Sequence, residues 1–261
     1  MAPLTQALHD LVTLLESDRD GGRRRRAAGL VAQLATPDAG FLRPELERLL
    51  VRYTDAGDTV ARDQIARVLS VAAGAAALPA LLRALVDDRN DDGETLQLDV
   101  LRLFSASRID ALAGVMTCVA ADDPGLRRVG IWGLSVLDWT QRDEYIALVV
   151  DASSDVDARV RAEAVDALGS VFGGDHPAAL DAVLAAFEDA DPAVRRSAVM
   201  ALCAWRDDAA TDRLVAGADD SDARVRAGVA WLVTNRPGPA VQTALERLAA
   251  DDDSEPPRTT P

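Results

Sequence analysis

The chain contains no lysine. All 28 of its basic residues are arginine, and they face 43 acidic residues, for a formal charge of −15. Aromatic residues make up only 4% of it, and it holds two histidines, His9 and His176, and two cysteines, Cys118 and Cys203. Each scarcity excludes something. No run of 18 or more apolar residues occurs, so no membrane insertion is expected. Residues 1–10 lack a charged segment followed by an apolar one, so no secretory signal is read there and a cytoplasmic location is expected. Two histidines without a His-x-x-x-His or His-Glu pairing, and two unclustered cysteines, leave little material for a transition-metal site. No metal or cofactor is expected. There is no G-x-x-x-x-G-K-[ST] or G-x-G-x-x-G loop to cradle phosphates, and Gly173-Gly174 reads as a break between helices. Neither cysteine sits in a nucleophile motif, and both read as small core residues of a reduced compartment.

The acidity is uneven. Residues 1–130 hold 16 arginines and 19 acids, whereas residues 131–261 hold 12 and 24. Two readings stand. One is a proteome-wide bias, from a GC-rich genome and a salt-rich cytoplasm. The other is a surface that attracts a basic partner and repels nucleic acid. The one dense basic run, Arg23–Arg26, is one helix turn of solvated side chains or a local anion contact, and nucleic-acid binding is not expected. The tail, 251–261, has no large apolar residue and is expected to be disordered.

What the chain does have is a repeat. D-P-A-V-R-R-S-A-V-M-A-L begins at Asp191, with close copies opening at Asp157 and Asp222, fair ones at Asp58 and Asp123, and degraded ones at Asp20 and Gly93. With the opening residue as position zero, position four is Arg24, Arg62, Gln97, Arg127, Arg161, Arg195 and Arg226. Position seven is Ala27, Ile65, Val100, Gly130, Ala164, Ala198 and Val229, and position eleven is Val31, Leu69, Phe104, Leu134, Leu168, Leu202 and Val233. Apolar residues at three, seven, eight, ten and eleven make the stripe of a buried helix face. The opening aspartate suits an N-cap, with Pro124 and Pro192 at the first helical position behind it. A second helical pattern fills each interval, over 41–54, 75–87, 109–121, 142–152, 176–188, 209–218 and 239–250, and an extra one over 3–17 precedes the first copy. Helical hairpins of this period stack on their neighbours rather than close into a globule.

The phrase D-x-x-V-R-x-x-A-x-x-A-L resembles the HEAT-like repeat, in particular the short kind found in phycobilisome lyases, over residues 3–250. The resemblance implies an all-α fold: a right-handed α-solenoid of about seven stacked HEAT-like hairpins, in one domain over 1–250. It also implies that the position-four arginines Arg24, Arg62, Arg127, Arg161, Arg195 and Arg226 form a structural ladder with turn aspartates of neighbouring units, interrupted at Gln97. Deoxyhypusine hydroxylases, which are HEAT-like, bind iron through paired His-Glu motifs that this sequence lacks. The HEAT-like alkylpurine DNA glycosylases depend on a basic concave surface that is also missing.

Position nine lies about 180° from the centre of the apolar stripe at 100° per residue. It holds Gly29, Arg67, Arg102, Trp132, Asp166, Met200 and Trp231. In HEAT-like solenoids this face lines the concave surface. The candidate partner site is therefore Trp132, Met200 and Trp231 with Asp166, rimmed by Arg128 and Arg196 at position five and Arg159 and Arg224 at position two. Trp205 falls back on the core side, and Trp139 lies beyond its helix.

These features point first to a non-catalytic scaffold or adaptor, in signalling or assembly, that binds a protein or peptide on its concave face. Two alternatives stay open. One is a chromophore lyase, or a subunit of one, resembling the phycobilin lyases. The other is an acidic inhibitor of a basic partner.

Overall fold

A computed structural model describes residues 2–18, 20–34, 37–87, 95–137, 142–171, 176–206, 208–234, 236 and 238–250. Among them there is helix and no strand. The opening Gly93 of one degraded repeat, Gly173-Gly174, Trp139 and the tail lie outside the described residues. The helices group into two compact units, residues 1–130 and 131–261.

In the first unit one layer holds α2 (Gly21–Leu34), α4 (Thr59–Ala73) and α6 (Thr95–Ala106), packed side by side. The other holds α3 (Arg43–Asp55), α5 (Leu78–Ala84) and α7 (Arg108–Val119). Helix α1 (Ala2–Ser17) packs on α2, and α8 (Pro124–Leu137) begins in this unit and ends in the next. In the second unit α10 (Ala158–Ser170), α12 (Pro192–Ala201) and α14 (Ala223–Val233) form one layer. In the other, α9 (Arg142–Ala152) packs on α11 (Pro177–Ala186), and α13 (Asp208–Ala216) on α15 (Pro239–Ala249). Each unit is thus a stack of helical hairpins, as the repeat implies.

The local causes are repeated too. Asp58, Asp157, Asp191 and Asp222 each accept a hydrogen bond from a backbone N–H of the first helical turn. Capping of this kind contributes about 1 kcal/mol per helix. Every position-eleven side chain is buried, as is every described position-seven residue except the half-buried Ala27. A buried Val, Leu or Ile contributes about 1.5–3 kcal/mol, so the stripe supplies most of the drive for stacking. The stretch Thr59–Ala84 is long and apolar enough by composition to cross a membrane, although polar residues interrupt it. Its apolar character has a local use, because α4 is covered by α2, α3 and α6. Gly74, at φ 56°, then turns the chain into α5.

Small residues set how closely the layers approach. A Cβ added at Gly169 of α10 would lie 2.4 Å from Ala201 Cα and 2.5 Å from Ala201 Cβ on α12.

The position-four arginines bind the turns. Arg161 donates from Nη1 to the carbonyls of Asp155 (2.9 Å) and Val156 (3.3 Å), and from Nε and Nη2 to the Asp189 carboxylate at 2.7 and 2.8 Å. Arg195 repeats this one unit later, with the Asp189 and Ala190 carbonyls behind it and the Asp220 carboxylate ahead at 2.8 and 2.9 Å. Arg226 and Arg127 donate to their own turn carbonyls in the same way. The acceptor of the second unit's ladder is thus the aspartate two residues before the capping one, which the sequence reading had not separated from it. Arg24 meets the capping Asp58 itself at 3.3 Å and also donates to the carbonyls of Leu15 and Asp18. Arg62 turns instead to its neighbour Asp63, with Nη2 2.7 Å from Oδ1.

Two outcomes follow. Gly169→Ala lowers unfolding free energy by about 1–3 kcal/mol through overpacking, whereas Gly29→Ala, in helix α2 with nothing within 4 Å of the new Cβ, raises it by about 0.5–1 kcal/mol; urea unfolding reads both. The hydrogen bonds from Arg195, more than any other influence, hold the Asp220 carboxyl below its ordinary value of 3.8. A depressed folded pKa means stability that is complete above the unfolded value and lost as pH falls through the folded one. Arg195→Gln therefore costs about 2–4 kcal/mol at neutral pH, and its deficit against the parent narrows as pH drops below 3.8.

Candidate functional site

The position-nine row of the second unit shows how one repeat's outward side chain meets the next repeat. Asp166 on α10 stands next to Ser197, which is position six of α12. Asp166 is exposed, yet neighbouring atoms crowd its carboxyl. Desolvation raises its pKa above the ordinary carboxylate value, opposed by Ser197 and by the charge of Arg196. Met200 on α12 has its sulfur 4.0 Å from where a Cβ would stand at Gly228, position six of α14. In both cases position nine rests on position six of the following helix. Gly228 leaves room there, and Met200 remains 41% exposed.

Trp231, the last of the row, is 58% exposed. It forms one wall of a pocket of about 110 Å³ lined also by Cys203, Arg206, Leu232 and Arg236. Three carbonyl and hydroxyl acceptors hold Arg236 in place: Leu202 O at 2.8 Å, Trp205 O at 2.6 Å and Thr211 Oγ1 at 2.8 Å. It ties down the chain where that chain leaves α12, and Trp205 is buried there on extended backbone just past the 3-10 turn. Arg206 is exposed. The pocket combines an indole face, an apolar floor and two guanidiniums. That combination suits an amphipathic side chain, with apolar contact to Trp231 and Leu232 and a polar end at the arginines.

The remaining candidates do not gather at this pocket. Trp132 is half-buried on α8. Arg128 lies in the first unit, where its Nη2 donates to the Val86 carbonyl at 3.3 Å. The Arg159 guanidinium folds back on the capping Asp157 at 3.1 and 2.9 Å, which holds that carboxyl down at about 2. Arg224 and Arg196 are exposed on their helices. Sequence periodicity had not pointed to Cys203, Arg206, Leu232 or Arg236. Three of them lie on or beside the irregular chain after α12 and α14, where helical counting stops.

Cys203 also corrects an expectation. It is exposed rather than in the core: α12 ends at Ala201, and Cys203 follows in the 3-10 turn over Leu202–Ala204. His176 stands half-buried at the N-cap position of α11 without a side-chain capping bond, its Nδ1 shielded and without a hydrogen-bond partner. Among the described residues no group of three or more His, Cys, Asp or Glu side chains is placed to hold a metal ion.

Residues 180–260, which include the pocket, match the family model for HEAT repeats. No curated protein sequence matches the chain. Among solved structures it is similar to Escherichia coli YibA, at 14% identity over 96% of each chain with a TM-score of 0.45. It is also similar to an engineered protein, at 15% identity over 92% of this chain and 82% of that one with a TM-score of 0.40. The class is all-α, with each unit a stack of helical hairpins. More particularly, the stretch from α11 to α15 is similar to HEAT repeats, over residues 180–260.

The two thiols differ in a way that a reagent can read. Burial pushes the Cys118 thiol up to about 11, while Cys203 stands in the pocket wall. A maleimide at neutral pH modifies Cys203 in the native protein, and Cys118 reacts only after denaturant is added.

Proposed function

We propose that the protein is a non-catalytic scaffold or adaptor that binds a protein segment on the position-nine face of residues 131–261. The observation that carries this reading is the pair Met200 and Trp231, large apolar side chains left exposed on consecutive repeats, the second beside a pocket. Repeat arrays present extended surfaces of this kind to protein partners. Exposed aromatic and Met anchors with arginine nearby match the composition of interface hot spots. The preponderance of acids over arginines in residues 131–261, 24 against 12, supports a basic rim on the partner and a salt-sensitive association. A reducing cytoplasm is the setting in which an exposed Cys203 stays a thiol.

The test is affinity capture from the source organism at native salt, followed by mass spectrometry, with the parent chain and a Met200→Ala/Trp231→Ala variant side by side. The expected outcome is that the variant loses the parent's principal partner while its melting temperature stays within a few degrees, as exposed positions allow. An unchanged set of captured proteins, or a variant that no longer folds, overturns the assignment of this face.

A further inference from the structure

The first unit carries a second arrangement on the same row. Asp99, at position six of α6, is 1% exposed, and its Oδ1 accepts hydrogen bonds from Arg67 Nη1 on α4 and Arg102 Nη1 on α6, each at 2.7 Å. Its Oδ2 is also buried and has no hydrogen-bond partner. The two guanidiniums are the position-nine residues of successive helices, 41% and 60% exposed, and Asp99 is the acceptor of both. Burying a carboxylate is costly unless it is well bonded. A carboxylate serving only the core would use both oxygens, whereas this one uses a single oxygen to hold two like charges side by side at the surface. Both guanidiniums stay partly exposed, and the balance of two arginines and one aspartate leaves one positive charge on a strongly acidic chain. Leu98, 45% exposed, lies one helix turn from Arg102 on the same face of α6.

We propose that Arg67 and Arg102, held together by Asp99, seat a carboxylate of an acidic peptide segment, with Leu98 receiving an adjacent apolar side chain. The fork of a guanidinium matches a carboxylate bidentately, and donors already fixed by Asp99 lose little freedom on binding. One negative charge balances the site, whereas a phosphate dianion would set a second one beside the buried Asp99. The exposed Leu98 favours a peptide over a free small acid. This site lies within residues 1–130 and stands independently of the pocket beside Trp231.

The experiment is fluorescence polarisation of the full chain with a fluorescein-labelled peptide of alternating Glu and Leu, against its Gln-Leu counterpart, with sodium succinate and inorganic phosphate as competitors. The Glu-Leu peptide binds and the Gln-Leu peptide does not. Arg67→Gln/Arg102→Gln weakens binding by about tenfold or more, while Arg25→Gln/Arg26→Gln, the same charge change elsewhere, alters it by less than about twofold. Leu98→Gln, an exposed change that leaves the melt intact, weakens it by about threefold or more and keeps the test valid if the double variant fails to fold. Equal loss in the Arg25/Arg26 control, or no loss at Arg67/Arg102 and Leu98, overturns the proposal. Succinate or phosphate competing at concentrations comparable to the peptide overturns the peptide assignment in favour of a small-anion site.

Discussion

A guanidinium at position four must be satisfied on the core side of each repeat, and the second unit is organised around doing so. Arg161 and Arg195 each close their own turn through two carbonyls and reach forward to an aspartate of the next repeat. That aspartate in turn accepts the N–H two residues on, where the capping aspartate stands: Asp189 from Asp191, and Asp220 from Asp222. One cap, one turn and one contact between repeats therefore share the same few atoms. Removing any of them leaves a partly buried charge without its partner, which is why the motif D-x-D-x-x-V-R appears whole in its best copies.

With the turns held, the outward face is free to vary, and it varies by a simple rule of contact. Position nine of one helix rests on position six of the next. The pair is Arg67 with Asp99 in the first unit, and Asp166 with Ser197 and Met200 with Gly228 in the second. The chemistry of the surface is then set by two residues on different helices rather than by one. A buried aspartate at position six gathers arginines, a serine stands beside a carboxylate, and a glycine leaves room beside a methionine. The two units thereby offer different surfaces from the same repeat, one with paired arginines and one with exposed Met200 and Trp231.

Much of the fold was legible in the sequence because the repeat states the same physics several times. The second helices expected over 142–152 and 239–250 appear at 142–152 and 239–249; the second of them starts on Pro239 at its first helical position rather than on a side-chain cap. The site was legible only in part. Trp231 and Met200 could be placed on the outer face by helical counting. Arg159 could not, because its nearest acceptor, Asp157, lies two residues away and captures it. Arg236 could not either, because it lies beyond the end of α14, where helical counting stops.

The sequence by itself determined the helices, their caps, the buried stripe and the position-four arginines, because each of these depends on residues within a few positions of one another. Only the tertiary structure decided which aspartate each arginine reaches, which position-six residue lies under each position-nine side chain, and where a pocket opens. Those outcomes depend on the register between neighbouring helices. That register is set by close approaches such as Gly169 against Ala201, a contact between residues on separate repeats that no periodicity within one helix encodes.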